Sequence, residues 1–186
     1  MSPTSRDGPG KPGGRLLCRE PGGRIRLRGL MARDCALHTA HLLRLSPEDR
    51  RARFHSALGD RSVIAYSRGI DRDHAWIFGA FLSGTLRGVG ELTPVTGTDE
   101  AELAISVEQP YQHVGIGKML SLALILVARR VGIGKIRMSF VRDNHRMRAL
   151  ARDLGARTVA TSGVLEGIVT VPPMADRRPR SPCAAR

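Results

Sequence analysis

The sequence predicts one α/β (α+β) domain, with a mixed, mostly antiparallel sheet of about six to seven strands flanked by about four helices. Its 186 residues suit a single domain. Short runs with a hydrophobic period of two alternate with helical segments in its central part. We expect the domain at 24–173, between a disordered leader at 1–23 and a disordered basic tail at 174–186, both rich in residues that do not form a core.

The front of the domain is predicted to be one strand and two helices. Residues 23–30 alternate apolar or glycine positions with arginines, which is typical of a strand. Residues 34–45 follow as a helix. Ser46 then supplies an N-cap before Pro47, so a second helix is predicted to run to Leu58 and to stop at Gly59.

The middle of the domain is predicted to be a hairpin followed by the most regular strand of the chain. Residues 75–82 and 85–92 are strand-like runs separated by two turn residues. Residues 102–107 alternate Leu, Ile and Val on one face with Glu, Ala and Ser on the other. Pro110 ends this strand.

The rear of the domain begins with a loop at 112–117 and an apolar helix at 118–131. A strand at 135–141 and a helix at 144–154 come next. Two closing strands are predicted near 157–161 and 165–171.

The formal charge of +13 is compatible with an anionic ligand, an acidic macromolecule or no partner of that kind. All of the 30 Lys and Arg residues except Lys11, Lys118 and Lys135 are arginine, a bias that a GC-rich genome produces without any function. No helix-turn-helix, aromatic ladder or zinc motif accompanies the charge, so nucleic-acid binding is not expected.

The remaining composition predicts a cytoplasmic protein without a metal. Cys18, Cys35 and Cys183 are far apart and form no zinc motif or disulfide framework. His38 and His41 have helical spacing but no further ligand cluster nearby, and we expect two ordinary helix-surface histidines. The longest apolar stretch, at 119–128, is shorter than the ~20 residues of a membrane span. No membrane association is therefore predicted.

The segment from Gln112 to Lys118 predicts a phosphate-binding loop. A helix N-terminus offers unpaired N–H groups and a partial positive charge, and Gly115 and Gly117 let a backbone approach an anion closely. A P-loop is excluded because Gln112 and Met119 stand where it needs Gly and Ser or Thr. A dinucleotide fingerprint is excluded because position 120 is Leu.

Gln112, Gly115 and Gly117 resemble motif A of the GNAT superfamily of acyl-CoA N-acyltransferases: Gln or Arg, two residues, Gly, one residue, Gly or Ala. A second stretch that resembles this family follows about 30 residues later, in the expected order. It comprises Asn144, Met147, Leu150, Leu154, Gly155 and Ala156. The resemblance covers 24–173, and its front part at 45–54 is similar to GNAT domains of bacterial protein lysine acetyltransferases.

The resemblance implies a single GNAT-like domain with acetyl-CoA as co-substrate. Backbone groups of Ile105, Ser106 and Val107 would pair with the pantetheine arm, and Asn144 would contact the CoA arm unless it is an ordinary helix cap. Amides of the loop would hold the pyrophosphate. The loop residues are Gln112, His113, Val114, Gly115, Ile116, Gly117 and Lys118.

Amine acetylation needs a base, because a lysine-type amine has a pKa of ~10.4 and reacts as the neutral form. In the resembled family a backbone N–H of the strand before the loop, here Val107, polarises the thioester carbonyl. The base is often a glutamate on the same or a neighbouring strand. Glu102 is our first candidate and Glu91 the second, and for each a purely structural carboxylate is the alternative.

Many members of this family place a tyrosine seven residues after the helix-start asparagine, and this chain has Ala151 there. Three alternatives follow. The CoA thiol leaves without a side-chain acid, Tyr111 or water substitutes, or the domain binds acyl-CoA without turnover.

These observations predict an N-acetyltransferase that moves an acetyl group from acetyl-CoA to a primary amine by direct attack in a ternary complex. The acceptor is a small molecule or a protein lysine, and Asp71, Asp73 and Glu166 are candidates for binding its cation. A non-catalytic acyl-CoA-binding regulatory module is the alternative. The sequence is compatible with either a monomer or a homodimer.

Overall fold

A computed structural model describes residues 16–20, 23–161 and 163–173. Its strands form one eight-stranded sheet in the order β1-β2-β3-β4-β5-β6-β8-β7. The strands are β1 (Leu16–Glu20), β2 (Gly23–Gly29), β3 (Trp76–Leu82), β4 (Thr85–Pro94), β5 (Glu100–Val107), β6 (Lys135–Val141), β7 (Arg157–Thr161) and β8 (Val164–Thr170). Within the described ranges the α-helices are α1 (Cys35–Arg44), α2 (Pro47–Phe54), α3 (Asp60–Gly69), α4 (Ile116–Arg130) and α5 (His145–Asp153).

The two central strands separate along their length. β5 and β6 are parallel and pair only from Glu100 with Lys135 to Glu102 with Arg137, whereas the other neighbouring strands are antiparallel. β4 stays paired with β5 as far as Val107, and β8 stays paired with β6 as far as Val141. A gap therefore opens in the middle of the sheet beyond Glu102.

The apolar helix α4 packs directly on β4, beside this gap. A Cβ built at Gly88 would lie 2.7 Å from Ile116 Cγ2, and one at Gly90 would lie 2.8 Å from Leu124 Cδ1. Both distances are too short for real Cβ atoms, so the two glycines allow the helix to approach the strand. Ile116 and Leu124 are fully buried in the main core. The close packing places the first turn of α4 at the opening between β5 and β6.

The fold class predicted from the sequence is confirmed, with two additional elements. β1 lies inside the predicted leader, so the expectation of disorder is wrong for Leu16–Glu20, which pairs antiparallel with β2. Helix α3 was not predicted. The second helix ends at Phe54 rather than at Leu58, because His55 adopts the left-handed conformation (φ 57°) that terminates it. Residues 1–15 and 174–186 lie outside the described residues.

Candidate active site

A cavity of about 530 Å³ occupies the opening between β5 and β6. Helices α2, α4 and α5 contribute to its walls. Most of the residues predicted for the site line it, whereas Val114 and Glu91 do not. The predicted residues that line it are Glu102, Ile105, Ser106, Val107, Gln112, His113, Gly115, Ile116, Gly117, Lys118 and Asn144.

The edge of β5 presents backbone groups to this cavity. The Glu108 N–H donates to the Arg87 carbonyl at 3.0 Å, across the antiparallel pair. Because hydrogen-bonded and non-bonded positions alternate in such a pair, the amides of Ile105 and Val107 point away from β4. Pairing with β6 has already ended at Glu102. These amides are thus directed towards the cavity.

The first turn of α4 closes one end of the cavity. Gly115 precedes the helix in the left-handed conformation (φ 83°), and His113 also has a positive φ of 66°. The φ of Gly117 is not positive, and a Cβ there would meet only Ile105 and Leu150 at 3.7 and 3.9 Å. The unpaired N–H groups of a helix start and its partial positive charge favour an anion at this end.

The Gln112 side chain is engaged in holding the loop. Its Nε2 donates to the Val107 carbonyl at 2.9 Å and to Asp49 Oδ1 at 3.1 Å. Arg146 of α5 donates to Gln112 Oε1 and, at 2.9 Å, to Asp49 Oδ1. These bonds connect α2, the loop and α5 at the cavity wall.

Asn144 caps α5. Its Oδ1 accepts a hydrogen bond from the Met147 N–H at 3.0 Å. Asn144 is therefore a helix cap through its Oδ1, and the residue also lines the cavity. Lys118 forms a largely exposed ion pair with Asp153 of α5 at 3.6 Å.

The two candidate bases lie in different surroundings. Glu102 is exposed and lines the cavity. Glu91 is only 4% exposed and accepts hydrogen bonds from Arg53 (2.9 Å) and Tyr66 (2.5 Å), with His38 Nε2 at 3.4 Å. Burial alone would raise the Glu91 pKa, but the Arg53 charge and the hydrogen bonds of His38 and Tyr66 hold it well below its usual range.

A second buried polar cluster lies one helical turn further along α1. His41 Nε2 is 2.9 Å from Ser106 Oγ, and His41 Nδ1 is 3.3 Å from Glu108 Oε1. Arg44 and Arg87 each donate to Glu108 at 2.8 Å. Although burial raises the Glu108 pKa, the bonds from His41, Arg87 and Arg44 outweigh it and lower the pKa to about 2.

The prediction that His38 and His41 lie on a helix surface is wrong, since they are 1% and 0% exposed. Their partners are distant in sequence, so no local pattern could identify them. Their burial could have been found, because residues 38, 41, 42 and 45 have the i, i+3, i+4, i+7 spacing of a core-facing stripe. Leu42 and Leu45 are buried with them.

Ala151 and Tyr111, the two positions that bear on protonation of the leaving thiol, lie in different surroundings. Ala151 is fully buried near Gly167, whose added Cβ would lie 3.3 Å from the Ala151 Cβ. Tyr111 does line the cavity, and the Arg87 guanidinium lies 4.6 Å from its ring centroid.

The residues proposed to bind the acceptor cation do not line the cavity. Asp71 is exposed and bonded to His74 at 2.7 Å. Asp73 is exposed in the same turn. Glu166 accepts from Arg137 at 2.8 Å, and Arg137 itself lines the cavity.

The described part of the chain has neither a metal-binding cluster nor a membrane-spanning helix. No cluster of three or more His, Cys, Asp or Glu side chains there could hold a metal ion. None of its helices has the length and apolarity needed to cross a membrane.

Comparisons with known proteins show the family and the fold of this chain. The family model described as Acetyltransferase (GNAT) family matches residues 40–156. No curated protein shows significant sequence similarity to the chain. Solved structures with related folds include the GNAT domain of S. lividans PAT, with a TM-score of 0.71 and 22% identity, covering 84% of this chain and 96% of that one.

Two further solved structures illustrate the range of relatives. YncA of Salmonella typhimurium, a putative acetyltransferase solved with acetyl-CoA, has a TM-score of 0.65 and 17% identity over 84% of this chain and 98% of its own. The cAMP-binding acyltransferase of Mycobacterium smegmatis has a TM-score of 0.58 and 25% identity over 86% of this chain. The match covers 48% of that longer protein.

Proposed function

This chain belongs to the acetyltransferase (GNAT) family, and we propose that it transfers an acetyl group from acetyl-CoA to a primary amine of a small molecule or a protein lysine. One observation carries the proposal. The amides of a separated β5 edge and the first turn of α4 face the same cavity. A ligand with an amide-rich arm and a pyrophosphate suits this arrangement, and CoA has both.

In the proposed complex the pantetheine arm pairs with backbone groups of Ile105 and Val107, which point away from β4, whereas those of Ser106 face Val89 of β4. The pyrophosphate lies at the amides of residues 113–118, where the start of α4 favours negative charge. Gln112 supports this loop through its bonds to Val107 and Asp49. YncA, which has a related fold, was solved with acetyl-CoA, and this supports the choice of acetyl-CoA as co-substrate.

The proposed reaction is direct attack in a ternary complex. The Val107 N–H polarises the thioester carbonyl and stabilises the oxyanion that forms on attack. Glu102, an exposed carboxylate on the same strand, attracts the acceptor ammonium. Because five residues of strand, ~16 Å, separate it from Val107, the amine proton reaches Glu102 through water. Glu91 is the second candidate for the base, but its carboxylate already accepts hydrogen bonds from Arg53, Tyr66 and His38. We therefore assign Glu91 the positioning of Arg53 at the cavity wall.

Substitution of Gly117 tests this function. Gly117→Glu places a carboxylate at the predicted pyrophosphate site, and the space around the added Cβ is ordinary. We expect thiol release from acetyl-CoA with a panel of amines to fall by at least ~100-fold, because an anion would be brought against an anion in a partly desolvated site.

Gly117→Gln is the matched control, since it has the same size without the charge. It should lose much less activity than Gly117→Glu, and calorimetry should show that the difference arises in CoA binding. Equal turnover of Gly117→Glu and the wild-type protein would contradict the proposal.

The second candidate function is a non-catalytic acyl-CoA-binding module. It is favoured by Ala151, which is buried where many family members have tyrosine. This candidate predicts CoA binding that Gly117→Glu abolishes, with no acetylated product from any amine. If the protein acetylates any amine and Glu102→Gln lowers the rate of that reaction, the chain is an enzyme and this second candidate is refuted.

A further inference from the structure

Ser106, His41 and Glu108 form a continuous chain of hydrogen-bonding groups beside the cavity. His41 Nε2 lies 2.9 Å from Ser106 Oγ, and Nδ1 lies 3.3 Å from Glu108 Oε1. All three residues are at most 6% exposed, yet Ser106 lines the cavity. A serine bonded to a histidine that is oriented by a carboxylate is the arrangement that activates hydroxyl nucleophiles.

The proton positions follow from the charges around His41. Glu108 is held ionised by Arg44 and Arg87 as well as by His41, so its Oε1 accepts a hydrogen bond from the N–H at His41 Nδ1. Burial lowers the His41 pKa, with further lowering from His38 and Arg44, and Glu108 opposes this only in part. The imidazole is therefore neutral near neutral pH. Its Nε2 is left to accept the Ser106 hydroxyl proton.

The residue after the serine supplies an oxyanion donor. The Val107 amide is directed towards the cavity, and in an extended strand it lies next to the side chain of the preceding residue. The N–H that follows a nucleophile contributes to the oxyanion hole in other acyl-transfer enzymes. The nucleophile Ser106 and the oxyanion donor Val107 thus line the cavity, and the base His41 and its carboxylate Glu108 are buried directly behind Ser106.

Resting on acetyl-CoA binding as proposed above, we propose that Ser106 is itself an acyl acceptor, activated by His41 and Glu108. The acetyl group of acetyl-CoA is transferred to Ser106 when no amine is bound, and the resulting acetyl-serine ester is hydrolysed. This is an activity additional to amine acetylation.

The steps conserve atoms and protons. Ser106 Oγ attacks the thioester carbonyl while its proton passes to His41 Nε2. The C–S bond then breaks, and His41 returns the proton to the CoA thiolate, which leaves as the thiol. Water attacks acetyl-Ser106 by the same route, its proton passing through His41 to Ser106 Oγ. The products are CoA, unmodified enzyme and acetic acid, which releases its proton to solvent and becomes acetate.

The chain contains a matched control for this arrangement. Ser67, His38 and Glu91 repeat the same order of groups, with His38 Nδ1 at 2.8 Å from Ser67 Oγ and Nε2 at 3.4 Å from Glu91. Ser67 belongs to α3, is fully buried and does not line the cavity. Of the two histidine-bonded serines, only Ser106 lines the cavity and should be acylated.

The experiment uses the full chain without any amine. One arm supplies p-nitrophenyl acetate, an acyl donor that needs no CoA site, and the other supplies acetyl-CoA. Nitrophenolate or thiol release is followed, and mass spectrometry of quenched samples locates the acetyl group. The variants are Ser106→Ala, His41→Gln and Ser67→Ala, each checked by thermal unfolding, and CoA binding is measured separately by calorimetry.

We expect acetyl-Ser106 in the wild-type protein and in Ser67→Ala, and none in Ser106→Ala. His41→Gln should slow acylation by at least ~100-fold, the usual contribution of a general base. The proposal is overturned if wild-type protein carries no acetyl group at Ser106 with either donor, or if His41→Gln acylates at the wild-type rate. If the protein acetylates amines but never carries an acetyl group on Ser106, this inference is refuted while the proposed function stands. Absence of CoA binding would refute the proposed function, while the ester arm would still test Ser106.

Discussion

Gly88→Ala should separate α4 from β4 and weaken both the fold and CoA binding. The added Cβ would lie 2.7 Å from Ile116 Cγ2, 3.3 Å from Leu120 Cδ1 and 3.4 Å from the Ser106 carbonyl. Ile116 is the first residue of α4 and is 1% exposed, so it cannot turn aside into solvent. Overpacking of this kind costs ~1–3 kcal/mol of unfolding free energy.

In a chain of this size that cost lowers the unfolding temperature by roughly 2–4 °C per kcal/mol. Chemical denaturation measures the loss of unfolding free energy. The KM for acetyl-CoA should rise, because the start of α4 at the predicted pyrophosphate site is displaced. Gly69→Ala is the control, because no atom lies within 4 Å of its added Cβ. If Gly88→Ala and Gly69→Ala unfold at the same denaturant concentration, Gly88 is not required for the close approach of α4 to β4, and the reasoning is refuted.

Two other predictions concern single side chains. Because the folded-state pKa of Glu108 is lowered from 4.5 to about 2, its contribution to stability is present above pH ~4.5 and is lost as the pH falls towards 2. Glu108→Gln should flatten that part of the pH–stability curve, and the exposed Glu48→Gln should not. Asn144→Ala should cost ~1 kcal/mol through loss of the α5 cap, while Asn144→Asp keeps the cap. A KM for acetyl-CoA that rises equally in both variants would show that the side chain contacts the cofactor; a change only in Asn144→Ala would show that the cap alone matters.

Patterns that depend on near neighbours in the sequence were predicted well. The alternation of β5, the Ser46 cap of α2 and the positions of Gly115 and Gly117 follow from local rules. The structure bears out the strand and the cap, whereas α4 begins at Ile116, two residues before the predicted start at Lys118. The end of α2 was missed because a histidine, rather than glycine, takes the left-handed position at residue 55.

The sequence by itself determined the family fold and the loop between β5 and α4, because backbone preferences and hydrophobic periodicity act over a few residues. Only the tertiary structure decided which carboxylates face the cavity. Glu91 meets Arg53 and His38 across 38 and 53 positions, and Ser106 meets His41 across 65. Such contacts depend on how helices cross the sheet. For the same reason, the separation of β5 from β6 that opens the cavity could not be inferred from either strand alone.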